Sequence, residues 1–198
     1  MQTVRIVIVG VGGQGNVLAS KLIGEAALAS GVPVVMSETH GMAQRGGVVE
    51  STVVLGGALS PAISDGCGDV LLAFEPMEAV RALRRVRPDA LAIASTSPLM
   101  PFIPGRKGVT YPEVDALLDS LRRKAGRVVA FDGRREAVAA GNALGLNMVM
   151  LGALYGAASL PLTPDAQRDA IRRGGKPAFA EANLACFERG LAAAALTN

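Results

Sequence analysis

Hydrophobic and polar positions along the chain follow two rhythms. Short β-branched runs at Val4–Val9, Val32–Met36, Val48–Leu55, Asp69–Phe74, Ala90–Ala94 and Arg127–Phe131 predict strands. Between them, apolar residues recur at three- and four-residue intervals. Asn16–Ala29 carries Val17, Leu18, Leu22, Ile23 and Ala26 in this way, and Gly31 follows as a helix stop. Glu75-Pro76 opens a helix with Ala79, Val80 and Leu83 turned inward, since proline suits a first helical turn. Further helices are expected over 113–125, 134–140, 148–158, 164–173 and 178–194, while 37–47 and the proline-broken stretch at Pro98, Pro101, Pro104 and Pro112 read as loops. Strands that alternate with helices predict an α/β chain. The expected fold is a doubly wound, Rossmann-like, mostly parallel sheet with helices on both faces and a helical C-terminal third. No repeat or low-complexity linker interrupts the 198 residues, so one domain over 1–198 is expected.

Composition refines this picture. Half the residues are apolar and 19% are charged, which is the profile of a globular chain. Aromatics make up only 4% and Trp is absent, so the core must be built from Ala, Val, Leu and Ile, with Met filling gaps. The net charge of +3 is a mild excess spread over helix faces, without the basic stripe and motif of a nucleic-acid binder. Cys67 and Cys186 stand far apart and form no CxxC pair. That argues against zinc, a cluster held by this chain alone, or a disulfide framework. No metal site is expected. Neither a secretory leader pattern at Met1–Ile6 nor a membrane-length apolar run is present, so the expected setting is a reducing cytoplasm with no membrane partner.

Two glycine-rich stretches carry the candidate chemistry. Gly10-Val11-Gly12-Gly13-Gln14-Gly15 follows a strand and opens a helix, satisfying G-x-G-x-x-G. Glycines there allow positive φ and close backbone approach, and free N–H groups at the helix start favour phosphate. Three readings stand. One is a dinucleotide site, with Glu38 about where a ribose-binding acid falls. Another is a different phosphate group, such as the pyrophosphate of coenzyme A. The third is a tight turn without ligand. The second stretch is Ser37–Gly47, which gathers Glu38, His40, Gln44, Arg45, Gly46 and Gly47. Loops leaving the carboxyl ends of strands one and two should share a surface. Arg45 suits bidentate contact with a carboxylate or phosphate, or fixes its own loop; His40 is a hydrogen-bonded structural residue or a donor to a ligand. Asn142 and Asn147 form a further polar pair, with Asn147 expected to cap the following helix or to meet a partner.

GVGGQG followed by SETHGMAQRGG resembles the gamma domain of the 2-oxoacid:ferredoxin oxidoreductases, and the HGMAQRGG form is similar to the small subunit of the indolepyruvate type. Gly141-Asn142 and the run from Asn147 to Leu154 resemble that family's Asn-Met-x-x-Leu-Gly-Ala segment, so three matches in family order span most of the chain. The resemblance implies a large partner subunit that holds thiamine diphosphate, magnesium and iron–sulfur clusters. It implies oxidative decarboxylation of an aryl 2-oxoacid, with coenzyme A as acyl acceptor and ferredoxin as electron acceptor. This chain then holds neither thiamine nor cluster and has no catalytic residue of its own. It completes the assembly, and the 10–15 turn and the 38–47 loop form one face that receives coenzyme A or the large subunit. Two other readings are a free-standing NAD- or FAD-dependent oxidoreductase and a non-catalytic nucleotide-binding assembly module. An apolar surface left without its partner also allows a homodimer.

Overall fold

The β-branched runs form the centre of the molecule. The computed structural model describes residues 2–40, 47–100, 110–174 and 177–196. Six strands form one sheet: β1 (Val4–Val11), β2 (Val34–His40), β3 (Val48–Leu55), β4 (Gly68–Ala73), β5 (Val86–Ser95) and β6 (Arg127–Phe131). Their order is β2-β3-β1-β4-β5-β6. The β1–β4, β4–β5 and β5–β6 pairs are parallel, and β3 is antiparallel to both β1 and β2. Strand alternation sends Ile6 and Ile8 to one face and Val7 and Val9 to the other, and both faces are buried.

The helices are α1 (Asn16–Ala29), α2 (Pro76–Arg81), α3 (Val114–Lys124), α4 (Gly133–Ala139), α5 (Leu146–Ala157), α6 (Pro164–Gly174) and α7 (Ala180–Ala195). On the Ile6 face, α1, α4, α5, α6 and α7 bury Leu22, Ile23, Ala137, Leu151, Ile171 and Phe187. On the Val7 face, α2 and α3 bury Ala79, Leu118 and Leu121. The doubly wound α/β expectation therefore holds, with a helical C-terminal third. Within that third, α5 is buried all round from Leu146 to Tyr155 and packs closely on α7.

Three local expectations are corrected. β2 runs to His40, well into the stretch read as loop, because Ser37, Glu38 and Thr39 pair with Thr52, Ser51 and Glu50 of β3. The polar side chains there sit on an exposed edge strand, where a hydrophobic pattern is not required. β5 starts at Val86, ahead of the Ala90 expected, since exposed Arg87, Pro88 and Asp89 break the apolar run without ending the strand. The third correction concerns neighbours. β1 and β2 are separated by antiparallel β3, so the ends of β1 and β2 share an edge of the sheet with β3 between them and not as adjacent parallel strands.

Candidate functional site

The winding changes face between β1 and β4: α1 leaves β1 on one side of the sheet, and α2 leaves β4 on the other. Such a change opens a crevice at the strands' carboxyl ends, where ligands of open α/β sheets bind. The glycine turn occupies that position.

Its geometry follows from a few contacts. Gly13 and Gly15 take φ of +101° and +85°, which side-chain-bearing residues rarely adopt. Gln14 is 9% exposed and points inward. Its Oε1 accepts from Val11 N at 2.7 Å and its Nε2 donates to Phe74 O at 3.1 Å, stitching the end of β1 to the end of β4. Gln14 and Asn16 fold back over Gly10, where a Cβ would lie 2.7 Å from Gln14 Oε1 and 2.9 Å from Asn16 Oδ1. The Gln14 amide is thus engaged at both ends and turned into the protein. What the turn presents is backbone. The N–H groups of Gly13, Gly15, Asn16 and Val17 have no acceptor among the described residues, and they border a cleft of about 340 Å³. This is the cradle and helix-start geometry that favours a phosphate.

The second loop meets the turn through backbone. Gly12 N donates to Gly47 O at 2.9 Å. Gly10 is paired with Val49, and Val49 with His40, so these three residues lie in one row across β1, β3 and β2. Gln44, Arg45, Gly46 and the side chain of His40 lie outside the described residues. Glu38 sits two strands away from β1, on the order of 10 Å at ordinary strand spacing. Its carboxylate accepts from Ser20 Oγ of α1 at 3.3 Å. In a dinucleotide site the ribose-binding acid ends the strand next to β1. Antiparallel β3 takes that place, so this geometry disfavours the dinucleotide reading.

The asparagines separate. Asn147 does not cap α5: Gly145 holds that position and Asn147 lies inside the first turn. The chain reaches helical conformation one residue before Asn147, which leaves its side chain buried against the glycine turn. A Cβ on Gly15 would come within 2.5 Å of Asn147 Nδ2. Asn142 is elsewhere. Its Nδ2 donates to Asn183 Oδ1 at 3.0 Å and its Oδ1 accepts from Leu144 N at 3.2 Å, pinning the α4–α5 connection to α7.

Sequence reasoning passed over Glu75 except as a helix start. The residue is 1% exposed. Its Oε2 accepts from Met77 N and Glu78 N at 2.8 and 3.0 Å, and its Oε1 accepts from Leu99 N at 3.2 Å and from Tyr111 Oη. Burial, reinforced by the Glu75 carboxylate, pushes the Tyr111 phenol far above its usual pKa, so the proton stays on Tyr111. Glu75-Pro76 was visible as an N-cap signal, but no spacing rule links it to Tyr111. Glu75 follows Phe74, whose carbonyl holds Gln14, so the turn and the segments around Leu99 and Tyr111 are fixed by consecutive residues.

One turn along α2, Glu78 is also buried. Its Oε1 bonds Arg81 Nη1 at 2.5 Å, and its Oε2 has no partner among the described residues. Burial raises its pKa, and Arg81 only partly counters this. The folded state therefore holds this proton more tightly than the unfolded chain, so the carboxylate weighs against folding increasingly as pH rises through the carboxylate range and above. Glu78→Gln is expected to be more stable than the parent by about 1 kcal/mol at neutral pH. That advantage should vanish below the unfolded carboxylate pKa, near pH 4. Urea melts at several pH values measure it; a pH-independent difference would show that the charge is not the cause.

Comparisons with known proteins agree with this architecture. Residues 5–193 match the family described as pyruvate ferredoxin/flavodoxin oxidoreductase. The chain is 41% identical over 191 residues, 96% of its length and 97% of the relative's, to the indolepyruvate oxidoreductase subunit IorB of Methanothermobacter thermautotrophicus. Its fold resembles the gamma subunit of a keto/oxoacid ferredoxin oxidoreductase from Geobacter sulfurreducens, with a TM-score of 0.73 and 24% identity over 96% of this chain and 98% of that one. It also resembles part of the 2-oxoglutarate:ferredoxin oxidoreductase of Magnetococcus marinus, covering 100% of this chain and 32% of that one with a TM-score of 0.73 and 18% identity. The glycine turn and its partner strands lie inside the matched span, and the chain belongs to the pyruvate ferredoxin/flavodoxin oxidoreductase family.

Proposed function

We propose that this chain is the small subunit of a cytoplasmic 2-oxoacid:ferredoxin oxidoreductase that oxidatively decarboxylates indolepyruvate or a related aryl 2-oxoacid. The products are the acyl-coenzyme A, carbon dioxide and reduced ferredoxin. The observation that carries this reading is the 41% identity to an indolepyruvate oxidoreductase subunit across nearly the whole of both chains. The large subunit supplies thiamine diphosphate, magnesium and iron–sulfur clusters, which provide decarboxylation and electron transfer. The described side chains of this chain do not gather in a way that would hold those groups. Cys67 is exposed before β4, at the amino-terminal edge of the sheet, and Cys186 is buried in α7. Among the described residues, no three His, Cys, Asp or Glu side chains gather as a metal site. No helix among the described residues is long and apolar enough to cross a membrane.

The part assigned to this chain is positional. The free N–H groups of Gly13, Gly15, Asn16 and Val17 receive a phosphate of coenzyme A, and Gly47 lets the second loop approach without a side chain in the way. Gln14 and Asn147 hold the turn in that shape from behind. Arg45 anchors the loop or an anionic group beside it. Arg45→Ala is expected to lower activity of the assembled enzyme at least about tenfold, the rate equivalent of about 1.4 kcal/mol, with solubility unchanged. Equal loss of both would assign Arg45 a folding role. The whole reading is tested by an anaerobic pull-down of the tagged chain from its host, followed by viologen reduction with indolepyruvate and coenzyme A. A brown, larger co-purifying chain with substrate-dependent reduction is expected. A colourless chain carrying a nicotinamide or flavin would replace the reading with a dinucleotide-binding one.

A further inference from the structure

We infer that the β2 edge of the sheet is a homodimer interface, in which β2 pairs with β2 of a second copy antiparallel about a two-fold axis at Ser37. β2 is the outer strand beside β3, and its other side has no strand partner among the described residues. Met36, Ser37, Glu38 and Thr39 are all exposed. An open edge of this kind presents a row of unpaired N–H and C=O groups, and soluble proteins usually guard it with Lys, Pro, a bulge or a covering element. Within Val34–His40 there is no Lys, Arg or Pro, and the register with β3 runs without a bulge. The opposite edge differs. β6 has five residues and begins with Arg127, whose Nη1 donates to Ala157 O at 3.3 Å.

The sequence of β2 is complementary to itself in this arrangement. With Ser37 on the axis, Met36 faces Glu38 of the second copy, Val35 faces Thr39, and Val34 faces His40. Glu38 is the one acid of the strand, and the two-fold never sets it directly opposite its own copy, where like charges destabilise a strand pair. Val34, Met36 and Glu38 lie on the α1 side: Met36 packs on Gly24, and Ser20 donates to Glu38. Leu28, 72% exposed near the end of α1, stands one helical turn beyond Gly24, on the row that faces Met36. Antiparallel pairing sets the two His40 ends apart by six residues, about 20 Å at ordinary strand rise. The two glycine-turn edges then face away from each other, and neither is covered.

Sedimentation velocity of the full chain across micromolar concentrations should show a monomer–dimer equilibrium. Ser37→Lys places two ammonium groups across the axis at an exposed position. It should weaken dimerisation at least about tenfold while circular dichroism and melting stay as in the parent. Ser37→Cys in a Cys67→Ser background should give a disulfide-linked dimer on mild oxidation, since directly opposed strand residues fall within disulfide reach. Arg127→Cys in the same background should not. A chain that sediments as a monomer at every concentration and fails to cross-link at position 37 overturns the inference. So does a dimer that survives Ser37→Lys, because its interface lies elsewhere. Neither result bears on whether a large subunit binds the glycine-turn edge.

Discussion

Gly190→Ala is expected to lower the folding stability by about 3 kcal/mol, a fall in Tm of roughly 6–12 °C for a chain of this size. Propensity alone predicts the opposite sign, since alanine inside a helix is better than glycine by about 1 kcal/mol. Close packing decides the outcome. α5 and α7 cross where Gly190 meets Val149 and Gly152 meets Phe187. A Cβ on Gly190 would lie 1.8 Å from Val149 O, and one on Gly152 would lie 1.9 Å from Phe187 O. Both obstacles are backbone, so no rotamer change relieves them and the helices must separate. Separation would open the contacts of Leu151, Leu154, Leu184 and Phe187, which belong to the larger core. Gly24→Ala is the matched control. Its Cβ would meet the Cε and Sδ of Met36 at 2.7 Å, the far end of a flexible side chain, so its net effect should stay within about 1 kcal/mol. Differential scanning calorimetry on the two variants separates the cases. A Gly190→Ala protein melting with the parent would mean that α5 and α7 do not approach as closely as described.

The same contrast shows what was legible in the chain. VRIVIV at β1 alternates between two buried faces, and it was readable because β-branched residues suit that environment whatever the neighbours are. The glycine turn was readable because positive φ leaves a residue signature. The end of β2 was not. Ser37, Glu38 and Thr39 carry a loop-like composition, and only their pairing with β3 makes them a strand. The place of β3 between β1 and β2 was likewise hidden, since a strand's sequence does not state its direction. That one topological fact set Glu38 against Ser20 and away from the turn. Asn147 was singled out for a cap that Gly145 supplies, yet it lies against Gly15, so the residue mattered to the site for a reason that spacing could not reveal.

Glu75→Ala is expected to cost about 4 kcal/mol and to loosen the carboxyl edge of the sheet. The carboxylate takes four donors: Met77 N, Glu78 N, Leu99 N and Tyr111 Oη. Losing the cap of α2 costs about 1 kcal/mol, and each buried donor left without an acceptor adds about 1–3 kcal/mol, less where water enters. Tyr111→Phe removes one donor and leaves the carboxylate with three, so about 1 kcal/mol is expected. Glu75→Gln should fall between the two, because its amide keeps one acceptor oxygen and sets a donor nitrogen against the remaining donors. Glu75→Ala with Tyr111→Phe should cost less than the sum of the single changes, since the second removes a donor that the first had stranded. Urea melts give these energies, and hydrogen exchange at Leu99 N supplies a local readout. That amide should lose protection in Glu75→Ala and keep it in Tyr111→Phe. An amide equally protected in all three proteins would mean that the Leu99 segment is held by something other than Glu75. The consequence reaches the glycine turn through Phe74, whose carbonyl accepts from Gln14. If the peptide between Phe74 and Glu75 is fixed from the Glu75 side, Glu75→Ala should also weaken the phosphate-group affinity proposed for the turn, although Glu75 is joined to it only through Phe74. Gln14→Ala should then weaken that affinity while leaving the Leu99 amide protected, because the Glu75 carboxylate keeps its own four donors.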